Sequence, residues 1–308
     1  MSCRILNIAD EQEWIKSAQW LKNRDEPDPE VEKSVQAIIS RVREEGDDAL
    51  VDFCRQYDCP DFEPPLLVSR HDIALAAASV SVESREQISA AAANIRAFHQ
   101  AQVEQSWFIT RPDGSILGQR VVPVDSVGLY VPGGKGGNTP LISSLLMNAI
   151  PAQVAGVQRI AICTPPRKDG TLNPYILAAA HLLDIDEVYR VGGAWSIAAL
   201  CYGTSSIKKT DVIAGPGNIH VATAKRLLQG IVGIDMVAGP SEVLIIADSS
   251  ANPAWVAADM LSQAEHDVLA SSICITDDAK LAEQTGKELE KQLKDLPRAG
   301  IARASLDN

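Results

Sequence analysis

Aromatic side chains are scarce in this chain: four Phe, five Trp and five Tyr make up 5% of its residues. Any core must therefore be built from Ala, Val, Ile and Leu. Positive charge is also in short supply, with 28 Lys and Arg against 40 Asp and Glu and a net charge of −12. That balance argues against a nucleic-acid partner, because phosphate binding rests on clustered Lys and Arg. No run of about 20 apolar residues exists, so no membrane-spanning helix is expected. The start, "MSCRILNIADEQEW", lacks a basic segment followed by an apolar core, so no secretory signal is expected. The six cysteines fall without C-x-x-C spacing, mostly inside apolar runs such as "IAICTP" and "SSICIT", which reads as reduced, buried thiols. Histidine is rare too, and none follows His266. These absences leave a cytoplasmic α/β protein whose 308 residues suffice for two domains.

Residues 1–27 read as a lead-in ending in the acidic, Pro-containing stretch "RDEPDPE". Pro29 stands where a helix can begin, and helical spacing follows through "EVEKSVQAIISRVREEG" and "DDALVDFCRQYD". Two more helices are expected near 72–78 and 83–102. Short β-type runs, "SWFIT" and "QRVVPVDSVGLYV", flank the turn "RPDGS". From Tyr130 onward, strand-like runs alternate with helices starting near Pro140, Pro174, Trp195, Asn218, Pro253 and Ala279. That rhythm predicts βαβ units and parallel sheets, with ligands at the carboxyl ends of the strands.

Three stretches carry candidate chemistry. In "VGLYVPGGKGGNTPLISS", Gly133, Gly134, Gly136 and Gly137 lie between a β-run and a helix, where backbone N–H groups can approach an anion. Lys135 is followed by Gly rather than Ser or Thr, and G-x-G-x-x-G spacing is absent, so neither standard phosphate fingerprint fits. In "IAGPGNIHVATAKR", Asn218 falls at a helix N-cap position beside the expected ligand edge. In "ADMLSQAEHD", Gln263 and His266 are three apart and share a helix face. His is a common zinc ligand and Gln an uncommon one, and a structural histidine at a helix C-terminus is the alternative. No nucleophile elbow and no H-E-x-x-H sequence is present.

Taken together and in order, "SVGLYVPGG", "LLMNAIPAQVAGV", "AGPGNIHVATAKR", "DMVAGPSEVLIIAD" and "LSQAEH" resemble the histidinol dehydrogenase family, from about Pro29 to the end. The resemblance implies two Rossmann-like domains with parallel sheets and flanking helices, preceded by a helical N-terminal region. One domain would comprise 28–129 plus 241–308, and the other 130–240. It also implies a homodimer using NAD and Zn²⁺. Tyr130 and Asn218 match NAD contacts, Ser241 a substrate contact, and Gln263 and His266 two of four zinc ligands that also face substrate. Trp195 stands where many members have a cofactor-contacting Gln. The family's catalytic Glu-His pair and its other zinc ligands, an Asp and a His, lie further along than Asn308. The expected activity of the intact protein is oxidation of L-histidinol to L-histidine through the aldehyde, with these 308 residues inactive alone. A related dehydrogenase of another polar alcohol, or a non-catalytic nucleotide-binding or dimerisation fragment, are the alternatives.

Overall fold

In the computed structural model, residues 3–23, 29–134, 141–237, 239 and 241–307 are described. The expected anion-binding residues Lys135 to Gly137, the helix start at Pro140, Pro240 and most of the acidic "RDEPDPE" stretch lie outside them. The chain divides into two compact units, residues 27–237 and residues 1–26 with 238–308.

The larger unit is organised around strand β3 (Ser126–Tyr130), in which all five residues are buried. Alternation is lost because the strand is covered on both faces, as parallel strands usually are. Around it lie β4 (Arg159–Thr164), β5 (Glu187–Arg190), β6 (Val212–Ala214) and the two-residue β7 (Gly233–Ile234). The sheet is parallel throughout, in the order β5-β4-β3-β6-β7. The chain thus winds outward from β3 to one edge, then crosses back to fill the other side.

Helices α6 (Ile142–Ala155), α7 (Pro174–Leu182), α8 (Gly193–Tyr202) and α9 (Ile219–Leu228) connect these strands. The sequence marks two of their starts directly. Pro174 opens α7 behind an Asn173 cap, and Asn218 caps α9.

Four helices precede the sheet: α2 (Pro29–Glu45), α3 (Asp47–Phe53), α4 (Arg70–Ser79) and α5 (Val82–Gln100), with α1 (Glu11–Asn23) belonging to the smaller unit. Val35, Ile38, Ile39 and Val42 line one face of α2 at helical spacing. That face joins α8 and α9 in one apolar cluster, while residues of α4 and α5 join α6 and α7 in another. The N-terminal helices therefore cover both layers of the central sheet. Contacts group 27–129 with 130–237. The apolar faces of α2, α4 and α5 pack with those of α6 to α9. The helix α1 within the lead-in was not anticipated.

A hairpin, β1 (Trp107–Thr110) and β2 (Ile116–Gln119), precedes β3. The turn at its tip forms where "RPDGS" predicted one: Arg111 N–H bonds Ser115 O at 2.8 Å, and Gly114 takes φ +84°.

The smaller unit contains a parallel pair, β8 (Glu242–Ile246) and β9 (Ser271–Ile275), crossed over by α10 (Pro253–Ala264). Helices α11 (Ala279–Gln292) and α12 (Ala299–Asp307) follow. Val256, Met260, Leu261, Leu289, Leu293 and Leu306 make its core. No described helix in the chain is long and apolar enough to cross a membrane.

Leu129 is fully buried at the centre of the larger unit. Leu129→Ala is expected to destabilise that unit by about 2–5 kcal/mol, read as a lower urea midpoint. Amides of α4 and α5 should then exchange together with those of β3 and β4, because Leu129 shares one apolar cluster with Ile73, Ile88 and Ile162.

Candidate functional site

Strand order reverses between β3 and β6: β3 feeds the connection to β4 on one side, and β6 lies on the other. In open parallel sheets the crevice beyond the carboxyl ends of such a pair is the usual ligand position. Tyr130 closes β3 at that edge, and "GPGN" leaves β6 beside it.

The two segments touch. Gly215 has φ +123°, and a Cβ there would lie 2.1 Å from Tyr130 O. Only glycine lets the loop cross so close to the strand end. Gly215 N–H donates to Asp235 Oδ2 at 2.9 Å, and its carbonyl accepts from Lys225 Nζ at 2.9 Å. Lys225 is 3% exposed and pairs with Asp235. A buried ammonium with a carboxylate and a carbonyl is satisfied, and it fastens the loop to α9 and to the turn after β7. Sequence reasoning missed this clamp, since a lysine late in a helix reads as a solvated charge.

Asn218 caps α9 by accepting from His220 N–H and Val221 N–H, both at 3.1 Å. The cap occupies the amide oxygen and leaves the amide nitrogen of this exposed residue as a free donor at the crevice.

Tyr130 is buried with the Gly193 backbone N–H, at the start of α8, near its hydroxyl, and burial pushes the phenol well above its ordinary range. Trp195 follows on the same helix. Its indole folds back over Gly193, where a Cβ would meet the ring at 2.2 Å. The ring also stacks on Phe53 (5.5 Å between centroids) and on Tyr57 (5.3 Å). The indole N–H is buried beside the Cys54 thiol with no oxygen or nitrogen partner. Trp195 therefore spends its surface on packing and offers the crevice no hydrogen bond. Tyr130, Trp195 and the loop before Asn218 nevertheless form one continuous patch, joined through Gly193 and Gly215.

A further group stands close by. Cys54–Asp58 is a single π-helical turn, and Asp58 carries a buried Oδ2 without a partner. Burial pushes its carboxyl up to about 7, and its charge is felt at Tyr130 and Cys54. Nothing in the sequence marks it, because an Asp at a helix end ordinarily faces water.

In the smaller unit, Ser241 precedes β8, and its carbonyl accepts from Ser271 N–H at 3.1 Å. Helix α10 runs back against β8, so its last turn returns to the edge where that strand starts. Gln263 lies in that turn and His266 just beyond it, with His266 N–H bonded to Gln263 O at 3.1 Å. Arg298 holds the carbonyl of His266 at 3.1 Å. Ser241, Gln263 and His266 thus share the amino edge of their sheet, opposite to the carboxyl edge anticipated for ligands. The Gln263 amide has a buried nitrogen without a partner, so no internal bond fixes how it points. Among the described residues no group of three His, Cys, Asp or Glu could enclose a metal.

The family model of histidinol dehydrogenase matches residues 21–308. The chain belongs to the histidinol dehydrogenase family. It is therefore an oxidoreductase of the dehydrogenase kind. It is 60% identical over 307 residues to histidinol dehydrogenase of Oleidesulfovibrio alaskensis, covering 99% of this chain and 71% of that protein. The corresponding enzyme of Nitratidesulfovibrio vulgaris is 59% identical, with 99% and 70% covered. A crystal structure of histidinol dehydrogenase from Elizabethkingia anophelis superposes with a TM-score of 0.82 at 40% identity, covering 94% of this chain and 67% of that one.

Two outcomes test the geometry. Gly215→Ala should displace the loop and lower the melting temperature, since neither the torsion nor the 2.1 Å approach tolerates a methyl group. For Asp58 the folded carboxyl holds its proton to a higher pH than the unfolded one. Its stabilising share is complete below the unfolded value near 3.8 and is lost as pH rises through about 7. The stability of the native chain relative to Asp58→Asn should therefore fall by about 2 kcal/mol between about pH 5 and pH 8, measured by urea unfolding.

Proposed function

We propose that these residues belong to an NAD- and zinc-dependent enzyme that oxidises L-histidinol to L-histidine through L-histidinaldehyde, the closing steps of histidine biosynthesis. The observation that carries the reading is the meeting of Tyr130 and the Asn218 loop at the switch point of a parallel sheet, in a chain 60% identical to a histidinol dehydrogenase.

NAD, when bound, supplies the hydride acceptor. The residues here fit it: Asn218 keeps its amide N–H group at the crevice, the α9 N-terminus adds positive potential, and Gly215 holds the loop that carries Asn218 against the end of β3. Tyr130 serves as a neutral wall of the crevice. Trp195 acts from behind it, through Gly193 and Tyr57, where the family's Gln would reach out with an amide.

For zinc the fit is partial. The His266 imidazole and the Gln263 carbonyl supply two donors, while a stable site takes three or four. Ser241 at the same sheet edge is placed for a polar group of the amino alcohol. In the family's pattern the remaining zinc ligands and the Glu-His pair, which moves the alcohol proton and activates water, fall beyond Asn308. The 308 residues then bind cofactor and lack the bases. The intact protein is read as a cytoplasmic homodimer.

Calorimetric titration with NAD should show binding, and Asn218→Ala should weaken it about tenfold by removing one hydrogen bond to a polar ligand. The 308-residue chain given L-histidinol and NAD should form no NADH above background, with or without added zinc. Absence of NAD binding would overturn the cofactor reading, and turnover by this chain would overturn the placement of the bases.

A further inference from the structure

Within the smaller unit, the main chain around Gln263 and His266 is fastened from outside by three side chains. Ser272 Oγ, on β9, donates to Met260 O at 2.8 Å. Arg298 Nη2, at the entrance to α12, donates to His266 O at 3.1 Å. Ser305 Oγ, inside α12, donates to Ala270 O at 2.8 Å. Between these points the segment is already knit to itself. Glu265 N–H bonds Leu261 O, His266 N–H bonds Gln263 O and Ala270 N–H bonds Asp267 O, each at 3.1 Å. The outside bonds therefore add nothing to the turn's shape; they fix where it stands.

Two of the three come from one helix. The Arg298 carbonyl accepts from Ile301 N–H at 3.0 Å and from Ala302 N–H at 3.1 Å, so this residue begins α12. Ser305 follows two helical turns later, roughly 10 Å along the axis. The two side chains take the two ends of the stretch 266–270. A serine inside a helix commonly bonds a carbonyl one turn back in its own helix. Ser305, 4% exposed, reaches across to another element instead. Ala302 and Leu306 of α12 share an apolar cluster with Leu261 and Ala264 of α10. Apolar contact thus brings the helices together, and the polar bonds set their register. Carbonyls at a helix end would otherwise turn to water, which holds them in no single direction. Ala270 also leads directly into Ser271, whose N–H holds Ser241 O at 3.1 Å. Ser241, Gln263 and His266 are all tied back to α12.

We propose that Arg298 and Ser305 are positioning residues for Gln263 and His266: by holding both ends of the turn 266–270 on α12, they keep the imidazole in register with the amide so that the two take one cation together. The inference rests on the zinc reading above and adds to it two residues that do not touch the metal. A donor aligned before the metal arrives gives up no freedom on binding, which is why groups that orient ligands affect affinity from a distance.

The chain has five histidines, and His266 alone lies in the smaller unit, while His71, His99, His181 and His220 lie in the larger one. Their ring resonances serve as internal controls when the 308-residue chain is titrated with Zn²⁺ and followed by NMR. His266 should respond at lower zinc than the other four, and Gln263→Ala should weaken that response. Arg298→Ala should raise the half-saturating zinc at His266 about tenfold. Arg298→Lys, which keeps a donor for the carbonyl, should restore most of the loss, and Ser305→Ala should act in the direction of Arg298→Ala. The melting temperature of Arg298→Ala should stay near the parent's, because Arg298 is no part of the apolar cluster. Without zinc, amides of 266–270 should exchange faster in this variant. No preferential response of His266 in the parent, or one untouched by Gln263→Ala, overturns the zinc reading and this inference with it. A response that needs Gln263 but is indifferent to Arg298→Ala and Ser305→Ala overturns the positioning role alone. Arg298→Lys as weak as Arg298→Ala overturns the hydrogen bond as its cause. A lowered melting temperature with shifts at all five histidines marks general loss of fold, and that too overturns the proposal.

Discussion

The burial of β3 on both faces is the constraint from which the larger unit follows. A strand with all five residues buried and neighbours on each edge has no solvent side. Helices must therefore cover it above and below. The four connecting helices do only part of that work, and α2 to α5 supply the rest. Close approach sets the detail. A Cβ at Gly128, mid-strand, would fall 2.8 Å from a methyl of Leu200, so α8 sits against bare backbone there. With β3 at the centre, strand order has to reverse next to it, and the crevice at its end is a by-product of how the core is closed. The ligand edge and the core are thus one piece of architecture.

The crevice itself is kept by buried polar groups with few alternatives. Lys225 has left water for Asp235 and the Gly215 carbonyl, and the Tyr130 hydroxyl is buried close to the start of α8. Removing one partner from such a set strands the other in a poorly solvating interior, which costs more than the bond itself contributes. Asp58 is the exception, a carboxyl brought inside without a partner on Oδ2. It sits at the end of a π-helical turn, a distortion often found where chains form ligand sites. Packing of Phe53 and Tyr57 around Trp195 is what holds that turn in place.

Much of this was readable from the residues in order. Pro29, Pro174 and Pro253 each begin a helix where a proline at the first turn costs nothing. The β-rich runs became strands, and Gly-Pro-Gly-Asn fell at the sheet edge with Asn218 as a cap. What could not be read depends on distance in space. The apolar stripe of α2 says that it buries something without saying that α8 and α9 are what it meets. Lys225 and Asp58 are charged residues on helices, and only tertiary packing takes them out of water. Trp195 had two uses open to it, and its orientation depends on Phe53 and Tyr57, some 140 residues earlier. The amino-edge placement of Ser241, Gln263 and His266 follows from the direction of α10, which local pattern does not encode.

The clamp on the Gly215 loop also bears on how such a chain can change over generations. Its three members come from the end of β6, the interior of α9 and the turn after β7, and each satisfies the other two. A lineage that lost Lys225 first would carry a partly open carboxylate and a loop carbonyl with one bond fewer each, and one that lost Asp235 first would carry a stranded ammonium. Loss of Asp235 first is the costlier order, because it leaves the 3% exposed ammonium without its counter-charge. The three positions should be inherited as a block, and drift should show itself in the exposed surfaces of α9 while this inner edge stands still.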